Sequence, residues 1–122
     1  MDMSVIEEPE GLTHVVLDGR FDIAGAQAVD GPFTALAAKA KFLVVDLGKV
    51  AFIAALGVRT LMVGAKAVNR RGDYIAVCGA DPNVEKVLRS TGFDEIVGLY
   101  PDFDSAASAL KGRAASFASR GG

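Results

Sequence analysis

Tryptophan is absent from this chain, and cysteine and histidine occur once each. A lone cysteine excludes an internal disulfide framework and any multi-cysteine zinc site. A lone histidine leaves no imidazole cluster for a metal and argues against a Ser-His-Asp triad. Basic charge is also short: 13 Lys and Arg against 15 Asp and Glu give a net charge of −2. There is no basic excess to neutralise phosphates, so nucleic acid is not expected as a partner. Long apolar runs are missing as well. The longest, Val50 to Val58, contains Gly57 and reaches about half of the ~18 residues a membrane span needs, so no direct membrane insertion is expected. The opening Met-Asp-Met-Ser-Val-Ile-Glu-Glu places acids where a signal peptide carries positive charge. A reducing, cytoplasmic setting is the expectation.

What is present is one domain's worth of chain, 122 residues. A chain of this length buries roughly two thirds of its unfolded surface and needs no disulfide or structural metal to fold. Hydrophobic residues make up 51%, but 20 of them are alanine and aromatics are only 7%, which describes a core of small side chains and closely packed helices.

Along the chain, Ser4–Glu8 and the β-branched run Thr13–Asp18 flank the turn signal Glu10-Gly11 and predict an edge hairpin. Ala26, Val29, Phe33, Leu36, Ala37 and Ala40 recur at helical spacing. Gly31-Pro32 interrupts them, so either the helix is kinked or a turn precedes a helix capped by Asp30. Phe42–Leu47 is a continuous apolar run suited to a strand covered on both faces. Gly48-Lys49 predicts a turn, Val50–Ile53 a second short run, and Gly57 the opening of a helix to about Arg71 with Val58, Leu61, Met62, Ala65 and Val68 inward. Arg70 and Arg71 suit that helix's C-terminus, and Gly72 stops it. Tyr74–Cys78 repeats the buried-strand pattern, with Cys78 as core. Asp81-Pro82 starts the next helix as N-cap and first helical residue, with Val84, Val87, Leu88 and Thr91 on one face and Gly92 at its end. Ile96–Tyr100 predicts a last strand, and Asp102 or Asp104 caps a final helix with Phe103, Ala106, Ala107 and Leu110 inward. Ser119–Gly122 is expected to fray. Strand–helix alternation after a hairpin gives an α/β mixed sheet of four to five strands with about four packed helices. Right-handed crossovers bring the helix N-termini to one end of it, where function is expected.

The run Val44-Val45-Asp46-Leu47, Gly48–Ile53 and Gly57-Val58-Arg59-Thr60-Leu61 resembles the STAS domain, the family of bacterial anti-sigma factor antagonists. Leu17–Asp22 resembles the strand and turn before that family's first helix, Arg70–Tyr74 its second helix-to-strand join, and Val87–Phe93 its third helix and glycine stop. The match spans roughly residues 4–112; a single STAS domain over 1–112, with a helix end and tail at 113–122, is the expected organisation. The resemblance implies a non-enzymatic, cofactor-free binding domain. Its implied partner is an anti-sigma factor of the histidine-kinase-like ATPase type; a homodimer stays open. In the family the second helix usually starts Asp-Ser-Ser-Gly, and the serine before the glycine is phosphorylated. Here those positions are Ala54, Ala55, Leu56 and Gly57. Phosphoryl transfer needs an oxygen nucleophile, so the resemblance implies a partner face that is not switched at the usual place.

The face expected to bind is Ala54 to Thr60, with Asp22 nearby. Leu56 is either a docking leucine or part of the core. Thr60 is a weak surrogate acceptor against the plainer reading of a back-bonded helix threonine. Asp22 is a helix N-cap or a neighbour of the docking loop. Arg59 steers an acidic partner or is simply solvated. His14 reads as structural, and no Gly-rich segment has the phosphate-cradling pattern. A scaffold or subunit role, as in lipid-transport ATPases or stress-sensing assemblies, fits the missing acceptor equally well.

Overall fold

The computed structural model describes residues 1–121, with side chains described as far as Ala114. The expected fraying of Ser119–Gly122 falls outside those described side chains. Strand β1 (Asp2–Glu8) turns through a short 3-10 segment at Pro9–Gly11 into β2 (Leu12–Phe21), and the two pair antiparallel with Val5 opposite Val15. Helix α1 (Ile23–Ala37), strand β3 (Phe42–Ile53), helix α2 (Ala55–Arg70) and strand β4 (Tyr74–Cys78) follow. Helix α3 (Pro82–Ser90), a 3-10 turn at Phe93–Glu95, strand β5 (Gly98–Tyr100) and helix α4 (Phe103–Gly121) complete the order. The sheet order is β1-β2-β3-β4-β5, with every pair after the hairpin parallel.

Each parallel step needs a crossover, and all three steps run in the same direction across the sheet. Right-handed connections therefore put α1, α2 and α3 on one face. The main core lies there: Val15, Leu17, Leu43, Val45 and Leu47 of the strands meet Phe33, Leu61 and Leu88 of the helices. The strand residues in between point the other way. Val44, Ala76 and Cys78 pack under Ala106, Ala107 and Leu110 of α4. A strand buried on both faces reads as an unbroken apolar run, which is why Phe42–Leu47 shows no alternation.

Three expectations need correction, and one open alternative is decided. Phe42–Ile53 is one strand, not two: the pairing of β2 with β3 shifts register between Val16 and Asp18 and again between Gly19 and Arg20, so the ladder runs through Gly48-Lys49. The Gly48 N–H, which a turn would have used, donates to Asp46 Oδ1 at 2.9 Å. Of the two alternatives at Gly31-Pro32, the turn before a helix capped by Asp30 does not form: both residues lie inside a single helix capped by Asp22. Both residues are exposed, so the hydrogen bond that proline forfeits is lost at the solvent face. Helix α2 starts at Ala55, two residues before Gly57. The last strand is confined to Gly98–Tyr100. Arg71 does more than complement a dipole: its guanidinium donates to Ala37 O and Ala40 O at 2.7 and 2.8 Å and ties the end of α1 to the end of α2.

Candidate functional site

The site is built where β2 and β3 end and α1 and α2 begin. Asp22 leaves β2 in an extended conformation, and its Oδ1 accepts the Gly25 N–H at 2.9 Å, capping α1. That hydrogen bond holds the Asp22 carboxyl below its ordinary value, with partial burial opposing and the Arg20 charge assisting. Arg20 Nε lies 3.6 Å from Asp22 Oδ2, and its guanidinium sits 4.5 Å over the ring of the exposed Phe52. One residue earlier in the chain, Phe21 is fully buried and its carbonyl accepts the Ala54 N–H at 2.9 Å. The cap of α1 and the cap position of α2 are thus joined through Phe21.

Gly57 explains how closely the second helix approaches. A Cβ at this position would lie 2.7 Å from Phe21 O and 2.8 Å from its ring. Gly25 is tighter still, with a Cβ falling 2.2 Å from Arg20 O. Both first turns rest on the end of β2, and only glycine fits between.

Of the expected face, Ala54 is half-buried and gives α2 no side-chain cap, Ala55 is exposed and Gly57 is buried. Leu56 is half-buried: it packs on the main core and also forms one wall of a cleft of about 600 Å³ between α1 and α2. Arg59 is exposed in the same cleft and has no ion-pair partner among the described residues. Thr60 is 4% exposed, and its hydroxyl donates to Leu56 O at 3.2 Å. Asp22 and the start of α2 are therefore neighbours, while Thr60 faces inward one turn below.

Sequence reasoning passed over Ile23 and Val63, which are 62% and 49% exposed beside this face. Val63 lies in the cleft with Asp30 and Gln27. The available signal was weak: Val63 falls off the buried stripe of α2, and Ile23 follows a cap residue directly.

His14 and Cys78 lie elsewhere, on the α4 side of the sheet. His14 Nε2 donates to Asp46 Oδ2 at 2.9 Å and its ring stacks on Phe103 at 4.2 Å. Burial, with the charges of Asp46 and Asp102, pushes the Cys78 thiol up to about 12, so it stays protonated. Among the described residues no cluster of three or more His, Cys, Asp or Glu could hold a metal, and no helix is long and apolar enough to cross a membrane.

The architecture recurs in other proteins. BtrV of Bordetella bronchiseptica, named as a candidate anti-sigma factor antagonist, is 25% identical over 107 residues, covering 87% of this chain and 92% of that protein. The crystal structure of an anti-sigma factor antagonist from Mycobacterium paratuberculosis superposes with a TM-score of 0.79 at 25% identity, over 90% of this chain and 95% of that one. The STAS domain of a SulP transporter from Vibrio cholerae matches with a TM-score of 0.67 at 26% identity, over 89% of this chain and 88% of that one. The STAS domain family model matches residues 3–106, which take in all of the sheet but Asp2 and the whole candidate site. With five strands, three same-side crossovers and a second helix seated on the end of β2, the chain belongs to the STAS domain family.

Proposed function

We propose that this chain is a non-enzymatic anti-sigma factor antagonist. It docks an anti-sigma factor of the histidine-kinase-like ATPase type through the start of α2, and phosphorylation at the usual position does not regulate it. The observation that carries this reading is Leu56. It stands in the first turn of α2 as a half-exposed apolar side chain with no hydroxyl to accept a phosphoryl group. A phosphate here would add nearly two negative charges to the docking surface and repel a partner selected for an apolar contact. With leucine that charge cannot be added, and the face stays in one binding state. Thr60 does not substitute as acceptor in this proposal, because its hydroxyl is buried and already committed to Leu56 O. Arg59 and Asp22 supply the charged rim.

The test is a binding titration against the purified anti-sigma kinase from the same genome, with and without ATP. The wild-type chain is expected to bind equally well in both conditions and to incorporate no phosphate. Leu56→Asp should weaken binding by about 30-fold, roughly 2 kcal/mol, the size of an interface hot spot. Leu56→Ser should regain an acceptor and lose affinity once ATP is added. Unchanged affinity in Leu56→Asp would place the docking surface elsewhere.

A second reading uses the same face differently: a permanently docked subunit of a transport or stress-sensing assembly. It draws support from the missing hydroxyl and from the likeness to a transporter's STAS domain. Recovery of transporter subunits, in place of an anti-sigma kinase, in a pull-down of native partners would favour it.

A further inference from the structure

The two edges of the sheet are finished in different ways. On one side β5 has only three residues, which leaves little backbone for another chain to pair with. On the other, β1 offers seven residues without proline, and among the described residues nothing pairs with its outer side. Half of its backbone N–H and C=O groups therefore point to solvent. Its two central large residues, Val5 and Ile6, are 44% and 43% exposed, on opposite faces of the strand.

Charge frames this apolar centre. Asp2 stands at one end and Glu7 and Glu8 at the other. The register places Asp2 directly opposite Asp18 on β2, a like-charge cross-strand pair, with Lys49 of β3 opposite Asp18 on its far side. Asp2 has no ion-pair partner among the described residues. A cation arriving on the outer side of Asp2 would offset this like-charge pair from the open edge, as Lys49 does from β3. A second copy cannot supply it. Two β1 strands paired about Val5 by a two-fold axis would set Asp2 against Glu8 at both ends.

We propose that β1 is a docking edge for an extended segment of another protein that is apolar in its middle and basic at both ends. The segment adds a sixth strand beside β1. Backbone hydrogen bonds supply the adhesion, and Asp2, Glu7 and Glu8 supply the selection. This surface is separate from the start of α2 and does not depend on the partner proposed there.

The experiment uses the full chain and the synthetic peptide acetyl-Lys-Lys-Ile-Val-Thr-Val-Lys-amide, which sets Lys against Asp2, Glu7 and Glu8 when laid antiparallel on β1. Amide hydrogen exchange is read residue by residue. At saturating peptide, the outward amides of β1 should exchange about tenfold more slowly, and added salt should reverse the effect. The same peptide with Glu in place of Lys should protect nothing. A chain carrying Asp2→Lys and Glu8→Lys should reverse the preference. The proposal is overturned if β1 stays unprotected at millimolar peptide, or if both peptides protect it equally. Protection confined to α2, or a peptide-free chain that dimerises with β1 already protected, would also overturn it.

Discussion

Helices α1, α3 and α4 each begin on an aspartate whose carboxylate takes a backbone N–H, whereas α2 begins on an alanine that takes none. Asp22 accepts from Gly25 at 2.9 Å, Asp81 from Val84 at 2.8 Å and Asp102 from Ser105 at 2.8 Å. Ala54 has no side chain to offer. Such a cap contributes about 1 kcal/mol, so the helix at the candidate site forgoes what the other three have. Its position is set from outside. The Ala54 N–H reaches back to Phe21 O, and Gly57 lets the first turn settle on the Phe21 ring. A locally capped helix start is specified by its own sequence. The start of α2 is specified by the strand beneath it, and its first turn is left with free N–H groups on the surface proposed to meet a partner.

The sharpest way to break this contrast is to lift α2 off its seat. Gly57→Ala puts a methyl 2.7 Å from Phe21 O, a backbone atom with little room to move. Overpacking of this kind costs about 1–3 kcal/mol, and urea unfolding should show a loss in that range together with weakened partner binding. Gly112→Ala in α4 is the control. Nothing lies within 4 Å of its Cβ, so relief of glycine's backbone entropy should stabilise the chain by roughly 0.5–1 kcal/mol. If both substitutions shifted stability alike, close approach to Phe21 would not be what places α2.

A smaller effect comes from exchanging the caps themselves. Asp81→Ala removes the acceptor for Val84 N–H and should cost about 1 kcal/mol in thermal or urea unfolding. Ala54→Asp gives α2 the acceptor it lacks and should return a gain of up to about the same size. A null result for Ala54→Asp would mean that the geometry enforced by Phe21 O leaves no N–H within reach of a side chain at this position.

The same contrast explains what could be read from the residues alone. Asp81-Pro82 marked the start of α3 because cap and first turn are neighbours in sequence, and Asp22 was legible as a cap for the same reason. The start of α2 was misplaced to Gly57 because no polar residue announces it; the carbonyl that fixes Ala54 lies over thirty positions away, on β2. The Gly48-Lys49 turn failed for a related reason. Glycine followed by lysine has the local chemistry of a turn, but β2 offers a partner for the strand to continue along, and tertiary pairing overrode propensity. The four site positions Ala54 to Gly57 were found only through resemblance, since two alanines, a leucine and a glycine carry no chemistry of their own. Their adjacency to Asp22 needed the Phe21–Ala54 hydrogen bond, and the inward turn of Thr60 needed the packing of α2 on the core.

The smallest expected effect tests whether the caps act through hydrogen bonds or through charge pairs. Asp22 and Asp102 are both held below their ordinary 3.8, first by the backbone N–H each accepts, from Gly25 and Ser105 respectively. A carboxyl lowered in the folded state stabilises the fold above its unfolded value and loses that contribution as pH falls through the lower folded value. Stability measured by urea unfolding should therefore decline below about pH 4, and Asp22→Asn should flatten part of the decline. For Asp22 the Arg20 guanidinium is a rival source, but it is 66% exposed and 3.6 Å away. Exposed pairs of this kind contribute little and are screened by salt. The acid decline should accordingly survive both high salt and Arg20→Met. If either abolishes it, the cap of α1 works as an ion pair, and the uncapped start of α2 differs from it in charge as much as in hydrogen bonding.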